Sequence, residues 1–143
     1  MAQAEFHEVL PIDKDRLFAT IVRYEDYPQF VAGCSGVKVE RKASGKARAT
    51  YNVNMMKEIS YTLDHVEDAA AGRVEWSLVS SDFMKKNSGY WELKSVGPGK
   101  TDVRYVVEVE FKFPVPGLIL NKLVKGSLPA MVKSFQKRAE AKG

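Results

Sequence analysis

Few residues in this chain are able to do acid–base or nucleophilic chemistry. Two histidines, one cysteine and 18 carboxylate side chains are spread over 143 positions. His65 alternates in phase with Ile59, Tyr61 and Leu63, so it faces wherever those apolar side chains face. A histidine on such a wall can serve as a general base. The plainer reading is a histidine held by a hydrogen bond at a strand end beside Asp64. His7 falls out of phase with Phe6, and Cys34 has no histidine near it in sequence and reads as a small buried apolar residue. No Gly-x-Ser-x-Gly elbow marks Ser/His/Asp catalysis. The histidine, cysteine and carboxylate pattern offers no metal site, and nothing in it calls for a cofactor. Gly97-Pro98-Gly99-Lys100 has the look of a phosphate loop, but no helix follows to supply an anion-binding N-terminus, so it is a turn.

The aromatic residues say more. Tyr51, Tyr61, Trp76, Trp91 and Tyr105 fall in phase with the apolar face of five predicted strands. Core packing accounts for any one of them. Together they exceed what core filling needs, because each buried tyrosine hydroxyl requires a partner. A wall of rings carrying a few hydroxyls is the usual make-up of a small-molecule pocket, and a flat aromatic or a quinone suits it.

The elements that must position these residues follow from periodicity. Residues 3–10 read as a strand with Phe6 and Val9 inward, ended by Pro11. Asp13 is a plausible N-cap for a helix over 14–23, and 24–31 reads as a second short helix or turn around Pro28. From Val37 onward the period is two, with turns at Ser44-Gly45-Lys46, Ala69–Gly72 and Gly97–Lys100. Residues 80–88 are polar and irregular and read as a loop around Phe83 and Met84. Pro114-Val115-Pro116-Gly117 stops the last strand. The remainder is a helical stripe of Leu120, Leu123, Val124, Leu128, Met131, Val132 and Phe135, kinked near Gly126 to Pro129, with Ser127 capping its second piece.

With no repeat and no linker, 1–143 is predicted to be a single α+β domain. An antiparallel sheet with one apolar face needs a cover, and only the C-terminal helix is long enough to provide it. A curved sheet gripping one helix leaves space between them.

Composition narrows the function classes. Lys and Arg number 22 against 18 acids, a net charge of +4, and the basic residues are scattered among acids rather than gathered in a stripe. DNA is therefore not an expected partner. An apolar share of 45% and a charged share of 28% exclude disorder, and one cysteine excludes an intrachain disulfide. The start has no secretory pattern, and no run approaches the roughly 18 apolar residues of a spanning helix. The expected location is cytoplasmic, with contact at a membrane surface.

Three local patterns then point to a family. Tyr27-Pro28-Gln29-Phe30-Val31 followed by Gly33-Cys34-Ser35-Gly36-Val37 resembles the Tyr-Pro-x-Phe segment of the Coq10/RatA and polyketide cyclase/dehydrase group. Gly89-Tyr90-Trp91-Glu92-Leu93 is similar to its Gly-x-Trp-x-Leu strand, and residues 131–140 to its closing helix. The element order resembles the START-like, or Bet v 1-like (SRPBCC), helix-grip fold: two short helices after the first strand, and a curved sheet of about six or seven strands around a long C-terminal helix.

The resemblance implies an internal cavity that takes a lipid, an isoprenoid quinone or a polyketide-like aromatic. On this sequence its lining is expected from Phe30, Tyr51, Val53, Tyr61, Leu63, Trp76, Leu78, Phe83, Trp91, Tyr105, Val107, Val109, Leu123, Met131 and Phe135. Leu118 and Ile119 with Lys122 and Lys125 are expected as a lip for a membrane or partner. The C-terminal helix and the 80–88 loop are the expected gates. The leading reading is a non-catalytic carrier or chaperone rather than an enzyme. Its alternatives are a polyketide cyclase/dehydratase using His65 and a tyrosine, and a ribosome- or protein-interaction module using the basic helix.

Overall fold

The computed structural model describes residues 2–55, 57–114, 116–118 and 128–142. Its elements are β1 (Ala2–Leu10), α1 (Lys14–Ile21), a 3-10 helix (Tyr24–Gln29), β2 (Cys34–Arg41), β3 (Lys46–Met55), β4 (Lys57–Asp68), β5 (Arg73–Ser81), β6 (Met84–Gly97), β7 (Lys100–Phe111) and α2 (Leu128–Lys142). The strands form one curved antiparallel sheet in the order β1-β7-β6-β5-β4-β3-β2. From β2 to β7 each strand pairs with its successor, the arrangement that short turns allow. Only β1 pairs out of sequence, with β7, and this places α1 and the 3-10 helix across to the β2 edge.

Local chemistry explains the boundaries. Asp13 caps α1, its carboxylate accepting the N–H groups of Asp15 and Arg16. In α1 the buried residues are Leu17, Thr20 and Ile21, one stripe turned to the sheet. Gly72 turns β4 into β5 at φ +68, where a side chain would meet the Leu93 carbonyl oxygen at 2.3 Å. In α2 the buried positions Leu128, Val132, Phe135 and Ala139 recur at helical spacing and lie over the inner face of the sheet. Arg16 ties the helical layer together, its Nη2 donating to the carbonyls of Ala139 and Glu140 in the last turn of α2.

Two expectations are corrected. Val9 is 53% exposed, because the inward residues of β1 are Ala4, Phe6 and Leu10, which puts every odd position, His7 included, on the outer face. The 80–88 segment is not a loop. β5 runs to Ser81, β6 starts at Met84, and only Asp82 and Phe83 turn between them. The Ser81 hydroxyl accepts the N–H groups of Phe83 and Met84 and so fixes the turn. The alternation is hidden in the sequence because the pairing of β6 with β7 slips between Met84 and Lys86, a bulge that changes the phase of the following residues.

The β5–β6 ladder spans only Arg73↔Glu92 to Trp76↔Gly89, so the two strands part beyond Trp76. Gly89 lets Trp76 lie close: a Cβ there would stand 2.7 Å from the indole Cζ2 and 2.0 Å from the Val106 oxygen.

Leu123 of the expected lining, Ile119, Lys122 and Lys125 of the expected lip, and the Ser127 cap lie outside the described residues. Leu118 is described and is 87% exposed. Among the described residues no helix is long and apolar enough to cross a membrane.

Candidate functional site

The sheet and α2 border a half-open cavity of about 220 Å³. That exceeds the roughly 150 Å³ that holds a benzene ring in an apolar core. β3 contributes Tyr51 and Val53, β4 Tyr61, Leu63 and His65, β5 Trp76, β6 Met84, Asn87 and Trp91, and β7 Tyr105, Val107 and Val109. Tyr27, Val31 and Cys34 close the side next to the 3-10 helix, and Leu128, Met131 and Phe135 of α2 close the top. Among the described residues the lining carries no charged side chain.

The rings pack edge to face, the arrangement their quadrupoles favour. Trp91 meets Tyr105 at 4.7 Å and Phe135 at 5.0 Å, and Tyr27 meets Phe135 at 5.1 Å. Tyr51 and Tyr61 stack at 5.4 Å.

The polar atoms in this wall divide into paired and unpaired. The Tyr27 hydroxyl donates to the Ile21 carbonyl at 2.5 Å. The Trp76 indole N–H donates to Asn87 Oδ1 at 3.0 Å, and the Asn87 amide reaches Met84 Sδ at 3.7 Å. Tyr51 Oη and His65 Nε2 are 2.8 Å apart. His65 Nδ1 is buried without a partner among the described residues. The Tyr61 and Tyr105 hydroxyls make no hydrogen bond among the described residues.

Burial raises the proton affinity of the Tyr27, Tyr51, Tyr61 and Tyr105 hydroxyls far above the ordinary tyrosine range. It lowers His65 to about 4 despite the favourable charge of neighbouring Asp64. The Cys34 thiol is also pushed up by burial, against a contact with the Gly36 carbonyl that pulls it down. At neutral pH the wall is therefore uncharged, and Cys34 is a protonated thiol rather than a nucleophile.

His65 is anchored from behind. Its ring stacks on Tyr24 at 4.1 Å with a 22° tilt. The Tyr24 hydroxyl donates to Glu67 at 2.6 Å, and Arg41 grips the same carboxylate at 2.9 Å while donating to the Val22 carbonyl at 2.6 Å. This bolt ties the end of α1 to β2 and β4 behind the imidazole.

Of the residues expected in the lining, Tyr51, Val53, Tyr61, Leu63, Trp76, Trp91, Tyr105, Val107, Val109, Met131 and Phe135 surround the cavity. Phe30, Leu78 and Phe83 do not. Phe30 turns into a separate cleft shared with Arg16, Arg23, Asp26 and Arg138, where the Arg138 guanidinium lies 5.5 Å over its ring. Leu78 packs against the core where the strands part, and Phe83 sits in the β5–β6 turn against Phe113 at 6.0 Å. Sequence reasoning missed Tyr27, Val31, Met84, Asn87 and Leu128 as lining, and treated Cys34 only as core. The i, i+4 spacing of Tyr27 and Val31 was a usable signal; Asn87, a polar residue behind a bulge, offered none. Among the described residues no group of His, Cys, Asp and Glu is placed to hold a metal ion.

The family model described as polyketide cyclase / dehydrase and lipid transport matches residues 10–136. The chain is 23% identical over 141 residues to the ribosome association toxin RatA of Escherichia coli (strain K12), covering 98% of this chain and 88% of that protein. It is equally similar to the persistence and stress-resistance toxin PasT of Escherichia coli O6:H1 (strain CFT073). Among solved structures, the Zhui aromatase/cyclase from Streptomyces sp. R1128 superposes with a TM-score of 0.86 at 12% identity, covering 97% of this chain and 93% of that one. A START superfamily protein from Mycobacterium smegmatis superposes with a TM-score of 0.84 at 18% identity, covering 99% of both chains. At these identities the structural likeness establishes the helix-grip fold.

Proposed function

The chain belongs to the polyketide cyclase/dehydrase and lipid transport family, and from that premise we propose that it binds one uncharged hydrophobic small molecule in the cavity beneath α2, as a carrier or chaperone. A lipid, an isoprenoid quinone or a polyketide-like aromatic are the candidate occupants. The observation that carries this reading is the wall itself: aromatic and aliphatic and, among the described residues, free of charge and holding tyrosine hydroxyls with no partner. Apolar burial supplies affinity at roughly 25 cal/mol per Å², and the free hydroxyls orient the ligand's polar end. Titration with polycyclic aromatics, read by quenching of Trp76 and Trp91, tests it. Saturable one-to-one binding that is lost in the cavity-filling variant Val107→Trp is expected. Quenching that is unsaturable, or unchanged in that variant, contradicts it.

Two other readings each have one supporting observation. The name of the RatA relatives favours a ribosome contact through the basic residues of the helical layer. It predicts salt-sensitive co-sedimentation with ribosomes that weakens when Lys133 and Lys137 are neutralised. The 2.8 Å contact between Tyr51 and a neutral His65 favours acid–base work on a cyclising or dehydrating substrate. In that case His65→Phe abolishes turnover and spares binding. The lip at Leu118 is a proposed membrane contact, tested by vesicle flotation with and without Leu118→Glu.

A further inference from the structure

His65 contributes one buried contact and one buried orphan. Nε2 faces the Tyr51 hydroxyl at 2.8 Å, and Nδ1 is buried with no partner among the described residues. Two neutral tautomers fit this placement, and they have opposite consequences for the cavity. With the proton on Nδ1, a buried N–H is left without an acceptor, and Tyr51 must spend its own hydrogen on Nε2. With the proton on Nε2, the orphan at Nδ1 is only a bare lone pair, and Nε2–H donates to the Tyr51 oxygen. Buried donors without an acceptor are rarer in proteins than under-satisfied acceptors. The stacked Tyr24 ring covers one face of the imidazole and offers Nδ1 no in-plane partner, since its own hydroxyl is committed to Glu67.

We propose that His65 is held as the Nε2–H tautomer and thereby acts as a specificity-determining residue, turning the Tyr51 hydroxyl into a hydrogen-bond donor aimed into the cavity. The inference rests on the ligand-binding reading above and deepens it. Tyr51 then joins Tyr61, Tyr105 and the Asn87 amide, whose oxygen is already occupied by the Trp76 indole. Among the described residues the Tyr61 and Tyr105 hydroxyls lack an acceptor, and Asn87 keeps one amide hydrogen beyond its contact with Met84 Sδ. The ligand's polar end is accordingly one that carries an acceptor for these hydrogens, as a ketone, quinone or ester carbonyl does. A carboxylate is disfavoured because the described lining offers no cation to offset its buried charge.

Two measurements test this independently. Long-range nitrogen–proton NMR on the unliganded protein reads the His65 tautomer directly. Nε2–H is expected, and a protonated Nδ1 overturns the proposal whether or not any ligand binds. Binding is then compared for three probes on one skeleton: fluorene, 9-fluorenone and 9-hydroxyfluorene. The wild type is expected to prefer fluorenone to fluorene by about tenfold, the size of one buried hydrogen bond. Tyr51→Phe should shrink that ratio severalfold and leave fluorene binding within about twofold. Equal binding of fluorene and fluorenone overturns the inference while leaving the ligand reading intact. Failure of all three probes in a protein showing the expected tautomer counts against the ligand reading itself. His65→Gln, whose side-chain amide can donate to Tyr51, should retain more of the preference than His65→Phe; equal loss in both contradicts a donor role.

Discussion

The outer and inner faces of the same sheet treat polar groups in opposite ways. Outside, most are paired across strands: Arg48 with Asp64 at 2.8 Å, Arg73 with Glu92 at 3.0 Å, Lys86 with Glu108 at 2.7 Å and His7 with Asp102 at 2.9 Å, while Arg104 Nε lies 3.1 Å from Glu5 without forming a hydrogen bond. Inside, His65 Nδ1 is buried without a partner among the described residues, and the Tyr61 and Tyr105 hydroxyls, on the cavity wall, make no hydrogen bond among them. Pairing where water is available adds little to stability, and leaving polar groups bare where it is not costs stability. A core built only to hold the fold together would carry phenylalanine at 61 and 105. On the proposed reading, a ligand that carries an acceptor pairs with the tyrosine hydroxyls, while the His65 Nδ1 lone pair stays bare.

Substitutions can break this contrast. The largest effect belongs to the apolar part of the inner wall. Trp91→Ala removes the ring that joins Tyr105 to Phe135 and should cost about 3–5 kcal/mol of unfolding free energy, read by chemical denaturation.

Next comes acid. His65 is neutral in the fold down to about pH 4 but titrates near 6.5 when unfolded. The unfolded chain therefore binds the extra proton first, and stability contributed by the neutral imidazole is full above pH 6.5 and lost as pH falls toward 4. The loss should reach about 3 kcal/mol, and His65→Phe should flatten that limb of the profile. The groups that bear on this titration are Tyr24 and Tyr51 in contact with the ring, and the charges of Asp64 and Arg41.

A smaller effect, of opposite sign, tests the contrast more sharply. Tyr61→Phe and Tyr105→Phe should leave the unliganded protein as stable or up to about 1 kcal/mol more stable, while weakening the binding of carbonyl-bearing probes. Stability lost in both variants would mean that the hydroxyls are satisfied after all. The smallest effect belongs outside. Arg48→Ala should shift the melting midpoint least, and about 0.5 M salt should erase the difference.

Much of this was legible in the sequence, for a physical reason. Strand periodicity and ring placement report the inner face, so Tyr51, Tyr61, Trp76, Trp91 and Tyr105 could be assigned to one wall without coordinates. Asp13 and the turn glycines mark their boundaries by local chemistry alone. What failed, failed where periodicity breaks. The bulge at Met84 and Lys86 disguised the start of β6 as a loop and hid Asn87. Phe30 follows a 3-10 helix, whose end at φ −143 has no repeating pattern to say which way the ring turns. The Tyr24–Glu67–Arg41 bolt joins residues that only tertiary packing brings together.

The central claim is that the cavity under α2 belongs to a hydrophobic ligand. It is tested most directly by extracting the protein, purified from its native cells without detergent, into organic solvent and identifying the released molecules by mass spectrometry. The account predicts one uncharged, carbonyl-bearing apolar compound at near-stoichiometric yield, absent from the Val107→Trp variant. An extract without any enriched compound, from a protein that also refuses the aromatic probes, would contradict it.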